Sequence, residues 1–128
     1  MHIYYTLSNF SDDGINIEFP GLDGAFTFGS DMHDALYMAK DLLAGWLINA
    51  EDDGESIPEP LQPFEIPVPK DDLLIPIEVN TEIYRLKFDN QAIKKTLTIP
   101  RYLDALGKEE NINFSLVLTE ALKEKFCV

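Results

Sequence analysis

Residues 92–100 read AIKKTLTIP, a run in which polar and apolar side chains alternate up to a proline. A period of two is typical of a β-strand, because successive side chains point to opposite faces. Leu97 and Ile99 therefore share one face of the predicted strand over 92–99. The opposite face has three polar side chains, namely Lys94, Thr96 and Thr98. Pro100 ends the strand and is well placed to begin a helix.

Two short helices are predicted after this strand. The first covers residues 101–110, with Leu103 and Leu106 on its inward side. Asn113 is a favourable N-cap for the second, because an Asn side chain can accept from a free backbone N–H of the first turn. The second helix covers residues 114–126, and its apolar face consists of Val117, Leu118, Ala121 and Leu122.

A strand and two helices within about 35 residues bury too little surface to be stable alone. Two copies become stable if they pair their strands and interlock their helices, as in ribbon-helix-helix repressors, whose two-stranded ribbon enters the DNA major groove. The predicted dimer core consists of Leu97, Ile99, Leu103, Leu106, Val117, Leu118 and Ala121. The predicted DNA-binding residues are Lys94, Lys95, Thr96, Thr98, Asn113 and Ser115. Lysine and threonine can contact base edges, and the amides that begin the last helix can bind a phosphate.

Two other interpretations of the tail compete with this one. Residues 94–99 are also compatible with an ordinary amphipathic edge strand whose polar face is solvated. A helix-turn-helix module is disfavoured, because such a module needs more helices than fit after residue 93.

The first 80 residues predict a small α+β domain with an antiparallel sheet. Strands are predicted over 3–7, 15–19, 25–28 and 73–79, and Pro76 suggests an edge position for the last of them. One main helix begins after the N-cap Asp31, and its apolar stripe consists of Ala35, Ala39, Leu42, Leu43, Trp46 and Ala50. A proline-rich linker is predicted over 57–69, and a short helix over 80–90 has Ile83 with Leu86 or Lys87 facing the body.

Charge is divided unequally along this chain of 128 residues and net charge −13. Residues 1–80 contain sixteen acidic side chains and two basic ones, which gives −14, whereas residues 81–128 contain seven acidic and eight basic ones, which gives +1. The division fits a basic protein as partner of the front and phosphate as partner of the tail. Charge alone fits equally well an acidic surface that only aids solubility. The predicted organisation is an acidic domain over 1–80, a connecting helix or linker over 81–91, and a dimerisation and DNA-binding module over 92–128.

Several classes of protein are disfavoured by composition. No apolar stretch approaches the ~20 residues that a membrane span needs, and the start has no pattern of a signal peptide. A single cysteine, Cys127, fits a reducing cytoplasm. His2 and His33 have no companions at ligand spacing, so neither a metal nor a cofactor is expected.

Both halves of the chain resemble the HicB antitoxins. In the tail, the resemblance rests on residues 92–100, on NINFS at 111–115, and on Leu118 with EAL at 120–122. In the front half, it rests on the tyrosine-rich first strand and on a set of short motifs: DDG at 12–14, FPGL at 19–22, TFG at 27–29, Asp34-Ala35 with Ala39, and IPEP at 57–60. Met32 and His33 depart from the family pattern.

The resemblance implies the antitoxin of a bacterial type II toxin–antitoxin system. Its front domain would have a partial RNase H-like fold and would bind a HicA toxin, a small basic ribonuclease, covering the RNA-binding and catalytic surface. Its tail would form a homodimer, or a pair of dimers, and repress its own operon by binding operator DNA. The charge division agrees independently, because an acidic domain associates quickly with a basic one.

Two rival functions were considered. A two-metal nuclease would need converging carboxylates, and the candidates are Asp12, Asp13, Glu18, Asp23, Asp31 and Asp34. Most of these lie in glycine turns or at the start of the predicted helix, where capping explains them, so no catalysis is expected. A ribbon-helix-helix regulator whose front domain senses a small ligand, with no toxin partner, remains open.

Overall fold

Four antiparallel strands lie side by side in the larger of the two units that the chain forms in a computed structural model. The structure describes residues 1–89 and 91–128, and the units are Met1–Gln91 (unit 1) and Ala92–Val128 (unit 2). The strands of unit 1 are β1 (His2–Ser11), β2 (Gly14–Glu18), β3 (Phe26–Gly29) and β4 (Leu73–Val79). Their spatial order is β3-β2-β1-β4, so β1 and β2 are central.

The predicted α+β class and the four strands of the front half are confirmed by this sheet. β4 lies at an edge, as expected from Pro76, which has no N–H to donate to a second neighbour. In the antiparallel register, Pro76 is opposite Tyr5 of β1. The hairpin of β1 and β2 closes at Ser11 and Gly14, around the acidic turn.

The two faces of the sheet differ in burial. On one face, here the helix side, alternate residues of the central strands are buried, among them Tyr4, Thr6 and Ile17. The opposite face, here the outer face, has exposed side chains at the alternate positions, among them Phe26 and Phe28. This alternation is the period of two that the sequence predicts.

Helix α1 (Met32–Asp52) covers the helix side of the sheet. Its predicted N-cap is confirmed, because the Asp31 side chain accepts from the Asp34 N–H at 2.8 Å, and the Asp34 carboxylate accepts in turn from the Ser30 N–H at 2.9 Å. Leu43 and Leu47 of α1 are fully buried in the core with residues of the sheet. Each buried side chain of this size contributes about 1.5–3 kcal/mol.

The proline-rich segment over 57–69 differs from the expected extended linker, because it packs against the core of unit 1. Ile66 is buried and Ile57 is partly buried against the core. The Tyr4 hydroxyl donates to the Pro58 carbonyl oxygen. Burial raises the pKa of the Tyr4 phenol, and the nearby Glu59 carboxylate adds to the effect. This segment is therefore part of the folded unit.

Helix α2 (Thr81–Asp89) follows β4 and packs against α1. The predicted inward position of Ile83 is wrong, since Ile83 is exposed and Tyr84 is buried instead. Of the two alternatives at the next turn, Leu86 is exposed, whereas Lys87 is half-buried and its Nζ donates to the Tyr37 hydroxyl of α1 at 3.3 Å. The Asn80 side chain caps the start of this helix, because it accepts from the N–H groups of Glu82 and Ile83. Asn90, the predicted end of this helix, lies outside the described residues.

Candidate nucleic-acid interface

Unit 2 consists of an irregular segment and two helices. Residues 91–100 have no hydrogen-bonded strand partner within the single chain, and they lead into α3 (Arg101–Glu109) and α4 (Phe114–Phe126). The two predicted helices are confirmed. The predicted strand over 92–99 is not formed in the single chain, where these residues have no strand partner.

The junction between α3 and α4 is fixed by a close contact. A Cβ atom at Gly107 would lie 2.3 Å from the Phe114 ring, so the absence of a side chain lets the ring rest on the backbone of α3. Helix α3 ends in a Schellman motif, in which the Ile112 N–H donates to the Gly107 carbonyl at 2.9 Å and the left-handed position is Asn111. The turn therefore holds both helices in a defined relation.

The start of α4 has the predicted N-cap. The Asn113 Oδ1 accepts from the Leu116 N–H at 3.1 Å, which satisfies one of the backbone donors that a helix start leaves free. The other N–H groups of the first turn, including that of Ser115, lie at the positive end of the helix dipole. Such an end can accommodate an anion.

The predicted polar row is exposed in the structure. Lys94, Lys95, Thr96 and Thr98 are all solvent-accessible. Lys95 differs from the other three, because it lines a groove together with Leu97 and Ile99. Residues 92–103 contain three basic side chains and no acidic one, the bases being Lys94, Lys95 and Arg101.

The groove of unit 2 has a volume of about 500 Å³ and is mainly apolar. Five of the seven residues predicted for the dimer core line it, namely Leu97, Ile99, Val117, Leu118 and Ala121. The other two, Leu103 and Leu106, are exposed elsewhere on α3. Leu97 is 51% exposed and Ile99 is 44% exposed. Among residues 92–128, Gly107 alone is buried, so the unit has no core of its own.

The carboxylates proposed for a nuclease occupy several separate positions. Asp12 and Asp13 lie in the β1–β2 turn, Asp31 and Asp34 make the capping hydrogen bonds of α1, and Glu18 lies on the outer face of the sheet. Over residues 1–89 and 91–128, no three His, Cys, Asp or Glu side chains are arranged to hold a metal ion. None of the helices in the same ranges is both long and apolar enough to cross a membrane.

Two features of functional interest have only weak signals in the sequence. In the sequence, the Gly107–Phe114 contact is visible only as a glycine inside a predicted helix. The pattern does not indicate that Phe114 packs against it. Phe26 is 72% exposed, although its strand alternates like one with a buried face. Phe26 and Phe28 are two residues apart in a short predicted strand, and this spacing indicates that both rings lie on the same face.

Solved structures similar to this chain are antitoxins and toxin–antitoxin complexes. A toxin–antitoxin complex from Streptococcus pneumoniae matches with a TM-score of 0.59 and 24% identity, over 97% of this chain and 98% of the other. The antitoxin HicB of Burkholderia pseudomallei matches with a TM-score of 0.56 and 17% identity over 98% of both chains. A HicA3–HicB3 complex matches with a TM-score of 0.51 and 22% identity, over 62% of this chain and 99% of the other.

The likeness shows that this chain has the fold seen in these structures over nearly its whole length. No protein-family model matches the chain, and no curated protein sequence matches it significantly.

Proposed function

We propose that this chain is an antitoxin of the HicB type. It neutralises a HicA-type toxin, a small basic ribonuclease, by covering the toxin's RNA-binding and catalytic surface. As a homodimer or a pair of dimers, it also represses its own operon by binding operator DNA. The observation that supports this proposal most is the likeness to solved antitoxin and toxin–antitoxin structures over 97–98% of the chain.

The charge of unit 1 supports a basic protein as its partner. Residues 1–91 contain eighteen acidic side chains and four basic ones. One of those four, Arg85, is already paired with Glu51 at 2.8 Å and Asp52 at 2.9 Å. A surface of this sign speeds the encounter with a cationic ribonuclease, and once bound it occupies the region that RNA phosphates would contact.

The apolar surface of unit 2 supports a second copy as its partner. Its leucine, isoleucine and valine side chains are largely exposed in one copy, whereas those in the core of unit 1 are almost fully buried. Pairing of two segments over 92–99 would satisfy their backbone groups and bring Leu97 and Ile99 into a shared core. We therefore assign the groove of unit 2 to the dimer interface.

The polar row supports recognition of DNA by the paired strands. In an antiparallel ribbon, Lys94, Thr96 and Thr98 of both copies lie on the face opposite Leu97. A lysine can donate to guanine, and a threonine can hydrogen-bond a base edge and contact a thymine methyl. We assign Lys95 to phosphate rather than to a base edge, because it does not share the face of Lys94, Thr96 and Thr98. The first turn of α4, with Asn113 and Ser115, would bind a further phosphate.

Neither role requires catalysis by this chain. Neutralisation follows from occupying the toxin's surface, and repression follows from occupying the operator. The acidic residues of unit 1 act in this account through their charge, and those at the start of α1 act through helix capping.

The test is co-expression with the protein encoded in the adjacent reading frame, read out by growth rescue and co-purification.

The variant Lys94→Ala/Thr96→Ala should still rescue growth and co-purify with that protein, because it leaves unit 1 unchanged. Its affinity for operator DNA should fall by about 100-fold or more, since each copy loses two base contacts. The matched control is Lys123→Ala/Thr119→Ala on α4, which should bind the operator like the wild type.

Two results would contradict the proposal. Failure of the wild-type chain to rescue growth or to co-purify would remove the antitoxin role, and retained operator binding in that case would favour a ligand-sensing regulator. Loss of toxin neutralisation in a folded Lys94→Ala/Thr96→Ala variant would contradict the division of the two roles between the units.

A further inference from the structure

The outer face of the sheet in unit 1 has exposed apolar side chains. The residues at its alternate positions include Ile3, Tyr5, Leu7, Phe26 and Phe28. Phe26 is 72% exposed, Ile3 is 47% exposed and Phe28 is 44% exposed. Helix α1 packs on the opposite face, so within residues 1–89 these side chains are not part of the core. These side chains form two apolar groups, one on β1 and one on β3, with the polar Asn16 and Glu18 of β2 between them. Exposed apolar groups of this kind mark a surface for another molecule.

The charged side chains on the outer face are all acidic within the described strands. Glu18 lies directly opposite Phe26 in the pairing of β2 with β3, and Glu78 lies on the same face of β4. No lysine or arginine occupies an outer-face position of these four strands. Apolar groups with acidic neighbours fit a partner that offers apolar side chains together with lysine or arginine.

A groove on this face fits a basic side chain. It has a volume of about 390 Å³, and Leu7, Glu18, Phe26, Pro69 and Asp72 are among the residues that line it. The Asp72 Oδ1 accepts from the Asn9 Nδ2 at 3.0 Å, which fixes that carboxylate at the wall of the groove. An aliphatic stem can rest on Leu7 and Phe26 while its cationic head reaches Glu18 or Asp72.

We propose that the outer face of the sheet is the docking surface for the cationic toxin, with Phe26 as its apolar anchor and with a lysine or arginine of the toxin in the groove. The inference rests on the proposed function and adds to it the place of contact. Tyr4, on the opposite face of the sheet, is buried in the core, whereas Phe26 is exposed and belongs to the proposed contact surface.

The experiment measures the Kd between the full-length chain and the purified protein of the adjacent reading frame. Phe26→Ala should weaken binding by about 30-fold or more, the effect of a central aromatic anchor. The matched control is Phe64→Ala, which removes another ring of unit 1 that is 86% exposed but lies outside the sheet. This control should change the Kd by less than about threefold.

A second pair of variants tests the sign of the partner's charge. Glu18→Lys should weaken binding by about tenfold or more, because it places a cation against the proposed cation. Glu55→Lys changes the net charge equally at an exposed position after α1, and its effect should be clearly smaller.

The outcomes separate the inference from the function on which it rests. Wild-type binding that Phe26→Ala leaves unchanged, or that both phenylalanine variants weaken equally, would overturn the docking surface and leave the antitoxin role intact. Absence of wild-type binding would overturn both. If Phe26→Ala lowers the mass of the free chain in sedimentation and leaves the toxin Kd unchanged, the face is a contact between copies and the inference is wrong.

Discussion

Two glycines determine how closely helices approach their neighbours in this protein. A Cβ atom at Gly29 would lie 2.3 Å from the Ala35 backbone nitrogen, so β3 and the start of α1 can meet only without a side chain there. Gly107 has the same role toward the Phe114 ring, which can swing aside because it is a side chain. Gly45, inside α1, has open space around it, so a Cβ atom there would meet no neighbouring atom.

At Gly29, substitution by alanine should therefore lower the free energy of unfolding by about 1–3 kcal/mol, as expected when a well-packed contact is overfilled. The matched control Gly45→Ala should raise it by about 0.5–1 kcal/mol, because alanine is the better helix former. Urea unfolding followed by the fluorescence of Trp46, the single tryptophan, reports on unit 1. A Gly29→Ala variant as stable as the wild type would contradict the packing described for β3 and α1.

Residues whose partners are local were predictable from the sequence. The N-caps Asp31 and Asn113 each bond to an N–H three residues further on, so the sequence alone contains the whole interaction. Gly29 and Gly107 were not predictable in the same way, because their contacts depend on how two elements pack. The exposure of Phe26 likewise follows only from which face of the sheet α1 covers.

The elements of unit 1 follow the sequence pattern where one face is buried, and they depart from it where tertiary contacts decide. Alternation predicted β1, β2 and β4 within a few residues at each end, because burial of one face fixes the period. In α2 the pattern placed Ile83 on the inward side, whereas Tyr84 is the buried residue and Lys87 contacts Tyr37 of α1. Over 92–99, the alternate residues Lys95, Leu97 and Ile99 line one groove, but the predicted strand is not formed in the single chain.

The N-cap of helix α4 allows a test of the proposed phosphate site. Asn113→Asp should keep the cap and leave the stability of the helix within about 0.5 kcal/mol, because both residues are favourable N-caps. It should lower operator affinity by about tenfold or more, since it adds a negative charge where a phosphate is proposed to bind. Gel-shift titration of operator DNA measures the effect.

The control for this variant is the reverse exchange at the other N-cap, Asp31→Asn at the start of α1, which should leave operator affinity unchanged. Binding of operator DNA by Asn113→Asp with wild-type affinity would contradict the phosphate site at α4.

In the molecule as a whole, the two units differ in the sign of their net charge and in whether each has a hydrophobic core of its own. Unit 1 is strongly acidic and has a closed core between α1 and the sheet, whereas unit 2 has an excess of one basic side chain and is apolar but without a core. A closed acidic body suits reversible contact with a basic protein. In the proposed dimer, pairing would give unit 2 a core and would double the number of DNA contacts. The charge division was readable from the sequence, and the exposed apolar surface of unit 2 is what the structure adds.

Sedimentation equilibrium of the full-length chain measures whether two tails pair with each other, as the proposed dimer requires. The wild type should have twice or four times the 14.5 kDa mass of one chain. Leu97→Asp, which places a charge in the proposed shared core, should sediment at the mass of one chain. Ile83→Asp, an equally exposed apolar position on α2, should keep the wild-type mass. A wild-type chain that sediments as a single copy at micromolar concentration, or a Leu97→Asp variant that keeps the assembled mass, would contradict the account.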